Sequence, residues 1–231
     1  MSHSTRLQSF GRWLAFAFAA LSSNAENLRY DAQVAWFHAG TIEMTLREDE
    51  SRYELSGEVT TSGAANRLFK WRGQFAATGR FVQGFPTTKA YFLLEDDGDQ
   101  REFLLAFGDK TTIHATDDES EELPAPPGSD LMSVIFLAPH CLGETTVHDG
   151  EDAYRLVPER RTERVLRQRP RYFSGPTTRC DYRFRYDDGS IRRASIWLSD
   201  TGAPRFPVRI QIRVPFLPDG ILRLRVGASR P

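Results

Sequence analysis

Cys141 and Cys180 are the two cysteines of the chain. An even count reads first as a disulfide in an oxidising compartment, and closing a loop of about 40 residues contributes roughly 4 kcal/mol in the chain-entropy picture. Two buried free thiols, or a Cys141 nucleophile activated by His140 or His148, are the competing readings. The catalytic one needs a thiolate-stabilising pocket and a thiol that survives beside a second cysteine. Besides His3, the histidines are His38, His114, His140 and His148; none stands two or four residues from another, so no local metal-chelating pair arises. Glu95-Asp96-Asp97-Gly98-Asp99 lacks the spaced oxygen ligands of an EF-hand and reads as a solvated hairpin tip. No G-x-S-x-G elbow, Walker loop, dinucleotide fingerprint or H-E-x-x-H pair is present. These residue types favour binding over catalysis, with no metal and no cofactor expected.

Arginine is the more informative type. Of 30 Lys and Arg residues only Lys70, Lys89 and Lys110 are lysine, and Arg160, Arg161, Arg164, Arg167, Arg169 and Arg171 crowd one short stretch. Guanidinium forks match phosphate geometry, so Arg164 and Arg167 are candidate anion contacts; the plain alternative is a solvated hairpin tip partly neutralised by Glu159 and Glu163. Arg209 and Arg213, with Arg223 and Arg225, share one face of a final hairpin if strand alternation holds. Like charges set opposite one another destabilise a sheet. Either an anion meets them, or the sheet closes so that Glu43, Glu54 and Glu58 pair with them. The large aromatics Trp36, Phe69, Trp71, Phe75 and Trp197 are expected to face inward. There they fill a small barrel or line a cavity in a wider one.

The elements that position these residues are strands. Period-2 alternation recurs through Tyr30–Trp36, Ile42–Leu46, Tyr53–Val59, Phe69–Phe75, Cys180–Tyr186, Val208–Val214 and Leu222–Val226. Asp97-Gly98, Asp149-Gly150, Asp188-Gly189 and Asp219-Gly220 supply turn chemistry between runs, and short turns make neighbours antiparallel. The pattern predicts an all-β fold: a strongly curved antiparallel or barrel-like sheet of about a dozen strands. It predicts one short helix, with Asp130 as N-cap, Leu131, Val134, Ile135 and Ala138 as an apolar stripe, and Pro139 as stop. Its expected task is to plug an open end of the sheet. The acidic stretch Asp117 to Gly128 reads as an exposed loop.

Arg6 and Arg12, the apolar run Trp13–Leu21 and the small side chains of Ser23 and Ala25 fit a cleavable export signal over residues 1–25. A single β domain then spans 26–231, and the run is too short to cross a bilayer. The expected location is the periplasm. Net charge is −1, which gives no reason to expect nucleic acid, but the balance hides a split. Residues 26–150 carry 10 basic against 22 acidic side chains, whereas 151–231 carry 18 against 9. The two halves should attract each other.

Asp130-Leu131-Met132-Ser133, Cys141, Val147-His148-Asp149-Gly150, Tyr154, Tyr172, Gly175, Cys180, Trp197 and Pro207-Val208-Arg209-Ile210 together resemble the bacterial exported proteins grouped as domain of unknown function 3108. The resemblance covers most of the chain after the signal. It implies a mostly antiparallel β fold in the cell envelope, two cysteines that occur together, and no catalytic residues to carry over. Leu131 departs from the proline common in the family, and His148 stands where an aromatic is common, which argues against a family-wide catalytic role for His148. The function expected is non-enzymatic binding of a hydrophobic or amphiphilic ligand, such as a lipid, with arginines at the mouth meeting its head. The alternative is an envelope assembly factor that binds another protein through a sheet edge or the arginine-rich hairpin.

Overall fold

The computed structural model describes residues 25–63, 66, 71–96, 98, 100–107, 111–116, 120–124, 127–167, 169–201, 206–213 and 218–226, with the side chains of 111–116 and 120–124 left out of that description. The amino-terminal half runs β1 (Glu26–Val34), β2 (Phe37–Glu48), β3 (Arg52–Thr61), β4 (Arg72–Val82), β5 (Phe85–Asp96), β6 (Gln100–Ala106), β7 (Thr111–Thr116) and β8 (Ser120–Pro124). A two-residue β9 (Ser129–Asp130) and the helix α1 (Leu131–Leu137) follow. The carboxyl half then runs β10 (Thr145–His148), β11 (Ala153–Leu166), β12 (Gly175–Tyr186), β13 (Ile191–Ser199), β14 (Arg209–Arg213) and β15 (Gly220–Leu224).

The fifteen strands of the described residues all belong to one sheet, ordered β8 through β1, then β15 back through β9. Each half is therefore a meander of antiparallel neighbours, save that β9 pairs parallel with β10 across α1, and the first and last strands join them: β1 pairs antiparallel with β15, Tyr30 opposite Leu224. The count exceeds the expected dozen partly because β8 forms inside the acidic stretch that reads as a loop.

Alternation sends one side chain in two into a shared interior. Leu46, Leu55, Ala77, Tyr91 and Leu105 stand opposite one another across five successive strands, and all are buried. Cys180, Ile196 and Ile210 continue the interior in the other half. Buried tyrosines keep their hydroxyls satisfied, as burial demands: Tyr30 Oη donates to the Pro207 carbonyl at 2.9 Å, and Tyr182 Oη accepts from Leu142 N–H at 2.7 Å.

The helix plugs this interior. Asp130 caps it, accepting from the Ser133 N–H at 2.8 Å. Ser133 to Leu137 are all buried, a fuller burial than the one-sided stripe expected from the sequence, because α1 is surrounded rather than laid on a surface. Phe136 meets the edge of Tyr30, ring centroids 5.2 Å apart.

The sheet curls until its β9 end reaches β5, where side chains bridge strands that no ladder joins. Thr88 Oγ1 accepts from Asp130 N–H at 3.0 Å and donates to Asp130 Oδ2, and Ser129 Oγ accepts from Thr88 N–H at 3.3 Å. Gly150, at φ +124°, lets the β10–β11 turn settle on the same wall, since a Cβ there would stand 2.8 Å from Leu93 Cδ2.

Candidate functional site

The cysteines form a disulfide, Cα atoms 5.6 Å apart across 39 positions, which ties the segment after α1 to β12 and fits an oxidising compartment. The five predicted lining aromatics do not share one cavity. Phe75 is buried in the interior, and Trp71 is half-buried with its ring over Gly73. Phe69 lies outside the described residues. Two predictions are corrected. Trp36 is 83% exposed: a register shift after Ala32 and a turn at Ala35-Trp36 end β1 before it can point inward. Trp197 is 5% exposed but lies on the outer face, since its neighbour Ile196 takes the inward position opposite Cys180.

One cleft opens beside the helix. It has a volume of about 380 Å³ and is lined by the apolar Phe81, Phe136, Leu137, Pro139 and Phe206, with Gly84, under a rim of Glu48, Asp49 and Glu50. The N–H groups of Ser51 and Arg52 reach Asp49 Oδ1 at 2.8 and 2.7 Å, and Arg52 Nε and Nη2 donate to its Oδ2 at 3.1 and 2.9 Å; these bonds hold the carboxyl down at about 2, ionised and paired with Arg52. No lining residue is basic, which corrects the expectation of arginines at the mouth.

The arginines stand on the outer wall instead. Arg179, Trp197, Arg209 and Arg223 occupy one register row across β12 to β15, and Asp31 of β1 is next in line. The Trp197 ring carries the Arg209 guanidinium at 4.6 Å and that of Arg179 at 5.1 Å, a contact electrostatically favourable to a cation. Arg179 is matched, donating to Asp181 Oδ1 at 2.7 Å. Asp31 is spent elsewhere: Arg225 Nε reaches its two oxygens at 2.9 and 2.8 Å, and Tyr172 Oη donates at 2.6 Å. Burial alone would raise the Asp31 carboxyl, but those bonds outweigh it and leave it below the usual range.

Arg223, itself buried, is left with the Gln33 side-chain carbonyl, and Arg209 with that of Gln211 at 3.0 Å. Arg209 Nε is buried without a hydrogen-bond partner. Burial first, then the charges of Arg223, Arg169, Arg179 and Arg213, push the Arg209 guanidinium down to about 10, which still leaves it charged at neutral pH.

Of the predicted anion contacts, Arg209 and Arg213 share this wall, Arg213 lying 3.7 Å from Asp219. Arg164 and Arg167 stand exposed at the far end of β11, away from that row. The expected ladder from the final hairpin to Glu43, Glu54 and Glu58 does not form: Glu43 pairs with Arg29 and Glu58 with Arg72, within the amino-terminal half. The pairings that matter, Asp31 with Arg225 and Tyr172, join positions 141 and 194 residues apart, and only the β1–β15 seam brings them together.

The model of the family described as protein of unknown function, DUF3108, matches residues 29–224. The chain belongs to that family. No curated protein matches it. As a DUF3108 protein it is similar in fold to a crystal structure of a beta-barrel-like protein of domain of unknown function DUF1849 from Brucella abortus. The TM-score is 0.50 at 10% sequence identity, covering 87% of this chain and 95% of that one. That likeness concerns the fold alone. Among the described residues no helix is long and apolar enough to cross a membrane.

Proposed function

We propose that this DUF3108 protein is exported to the periplasm by the signal over residues 1–25 and acts there, without catalysis, by holding a hydrophobic or amphiphilic ligand in the cleft beside α1. The observation that carries the reading is the cleft itself. Its volume of about 380 Å³ is within the range of ligand pockets, which are mostly apolar with a few placed polar groups. The rim sets the ligand's polarity. Three carboxyl side chains, with Asp49 paired to Arg52 at 2.9 Å, give an anionic head no cationic partner among the lining residues, so the polar end of the ligand is neutral or cationic.

Native mass spectrometry of protein purified from the periplasm tests this directly, since a carrier retains mass beyond its polypeptide. Nile red, a neutral apolar dye, should bind saturably at one site, and Phe81→Ser should weaken it by about tenfold, the worth of one lost aromatic contact. A bare polypeptide together with unsaturable dye uptake overturns the proposal.

A second reading, a protein that binds an envelope partner by strand addition, is favoured by β11. Its pairing with β10 stops at Leu156, so among the described residues the strand from Val157 to Leu166 has no ladder partner on that edge. Val165 there is 75% exposed. A free edge is the usual template for an added strand.

A further inference from the structure

We propose that the outer wall of β14 and β15 carries a second site, separate from the cleft, in which Arg209 and Arg223 bind a phosphate monoester group with Arg169 contributing charge and Trp197 holding Arg209 in place.

The geometry explains why, among the described residues, nothing does that job. Arg209 and Arg223 are direct cross-strand partners, an arrangement that costs stability when both are charged. The carboxylate next in the row, Asp31, would be the natural counter-ion for Arg223. Its oxygens face Arg225 and Tyr172 instead. Asp219, the other nearby acid, reaches Arg209 only through Gln211, whose amide donates to Asp219 Oδ2 while its carbonyl accepts from Arg209. Arg209 therefore meets a neutral acceptor where a carboxylate could have stood, and its Nε meets none.

The surplus of charge selects the ligand. Arg169, Arg179, Arg209, Arg213 and Arg223 act on one another at this wall, and Asp181 and Asp219 offset only Arg179 and Arg213. Among the described residues three guanidiniums, those of Arg169, Arg209 and Arg223, have no carboxylate partner, which a dianion answers better than a carboxylate. A phosphate monoester also presents the several oxygens that two guanidinium forks and a third cation can share. Trp197 buries one face of Arg209 and limits its rotamers, so less side-chain entropy is lost on binding.

The test is calorimetric titration of the folded, disulfide-bonded protein with inorganic phosphate at fixed ionic strength, with vesicles of phosphatidic acid in phosphatidylcholine as a second arm. Arg209→Gln should raise the half-saturating phosphate concentration by at least about tenfold, the usual worth of one charge-assisted contact. Arg80→Gln, an exposed change on β4, should leave it as in the wild type. Arg223→Gln decides the matter if the first variant does not fold. Vesicle binding that free phosphate displaces supports a soluble ligand; vesicle binding lost in Arg209→Gln but indifferent to free phosphate supports the same site with the phosphate carried by a lipid. Absence of both kinds of binding, or equal binding by wild type and Arg209→Gln, overturns the proposal. Nile red uptake in the cleft is measured on the same samples, and its outcome is independent.

Discussion

Two regions of this sheet bury charge, and they treat it in opposite ways. At the β5–β9 contact, Asp130 is fully buried and accepts from Thr88 Oγ1 and the Ser133 N–H, while its own N–H finds Thr88 Oγ1. Burial raises its carboxyl above the ordinary value against the pull of those bonds. On the outer wall, Arg209 and Arg223 are placed side by side with amide carbonyls as their acceptors. The first arrangement closes a fold, since its partners, Thr88 on β5 and Ser133 in α1, are supplied by the same chain. The second leaves stability unused, as expected where something from outside completes the set.

That contrast can be broken by deletion. Asp130→Ala removes the helix cap and the carboxylate to which Thr88 Oγ1 donates, leaving Thr88 with the backbone N–H of residue 130 and with Tyr53 Oη, so urea unfolding should show a loss of roughly 3 kcal/mol, summing a cap with a charge-assisted hydrogen bond. A loss below about 1 kcal/mol would mean that the β5–β9 contact does not hold the curl. Arg225→Gln comes next. It leaves the buried Asp31 with Tyr172 alone, and a partly buried charge pair of this kind should cost about 2 kcal/mol, less than a fully buried one.

Arg209→Gln should behave in the opposite sense. Without added phosphate its unfolding free energy should stay level or rise, by up to about 1 kcal/mol, because a cation beside like charges is removed. A loss comparable to that of Arg225→Gln would show that Arg209 serves the fold and erase the contrast between the two regions.

How much of this was legible beforehand follows from where the period holds. Tyr53, Leu55 and Phe75 sit in clean alternation and are buried as read. Trp36 fails because a bulge between Ala32 and Gln33 shifts the phase, and nothing in the residue types announces it. Trp197 fails for another reason: Ala194 to Leu198 are all buried, so the run has no phase to read, and Trp197 is covered by arginines rather than by the core. The opposite charges of the two halves were plain in the sequence, but their pairing was not. Asp31 and Arg225 depend on the register of β1 on β15, which packing sets. Nothing in the residue types of Glu48–Glu50 marks a cleft rim, and only the position of α1 gives it a floor.

The smallest effect expected concerns His148, which stands opposite Asp130 in the β9–β10 pairing. Its Nδ1 accepts from the Gly150 N–H at 3.1 Å, so the ring is neutral in the fold. Burial lowers its pKa from 6.5, while Asp149 and Asp152 pull the other way. The sign follows from proton counts. Below about pH 6.5 the unfolded chain takes up a proton that the folded chain refuses, so stability is complete above that pH and declines as the solution is acidified towards the folded value. His148→Phe keeps an aromatic of similar bulk and removes the titration. Unfolding midpoints measured between pH 7 and 5 should therefore fall less steeply for the variant than for the wild type. Equal slopes would mean that His148 takes its proton in the folded state, and the β9–β10 end would then be wetter than the sealed Asp130 contact requires.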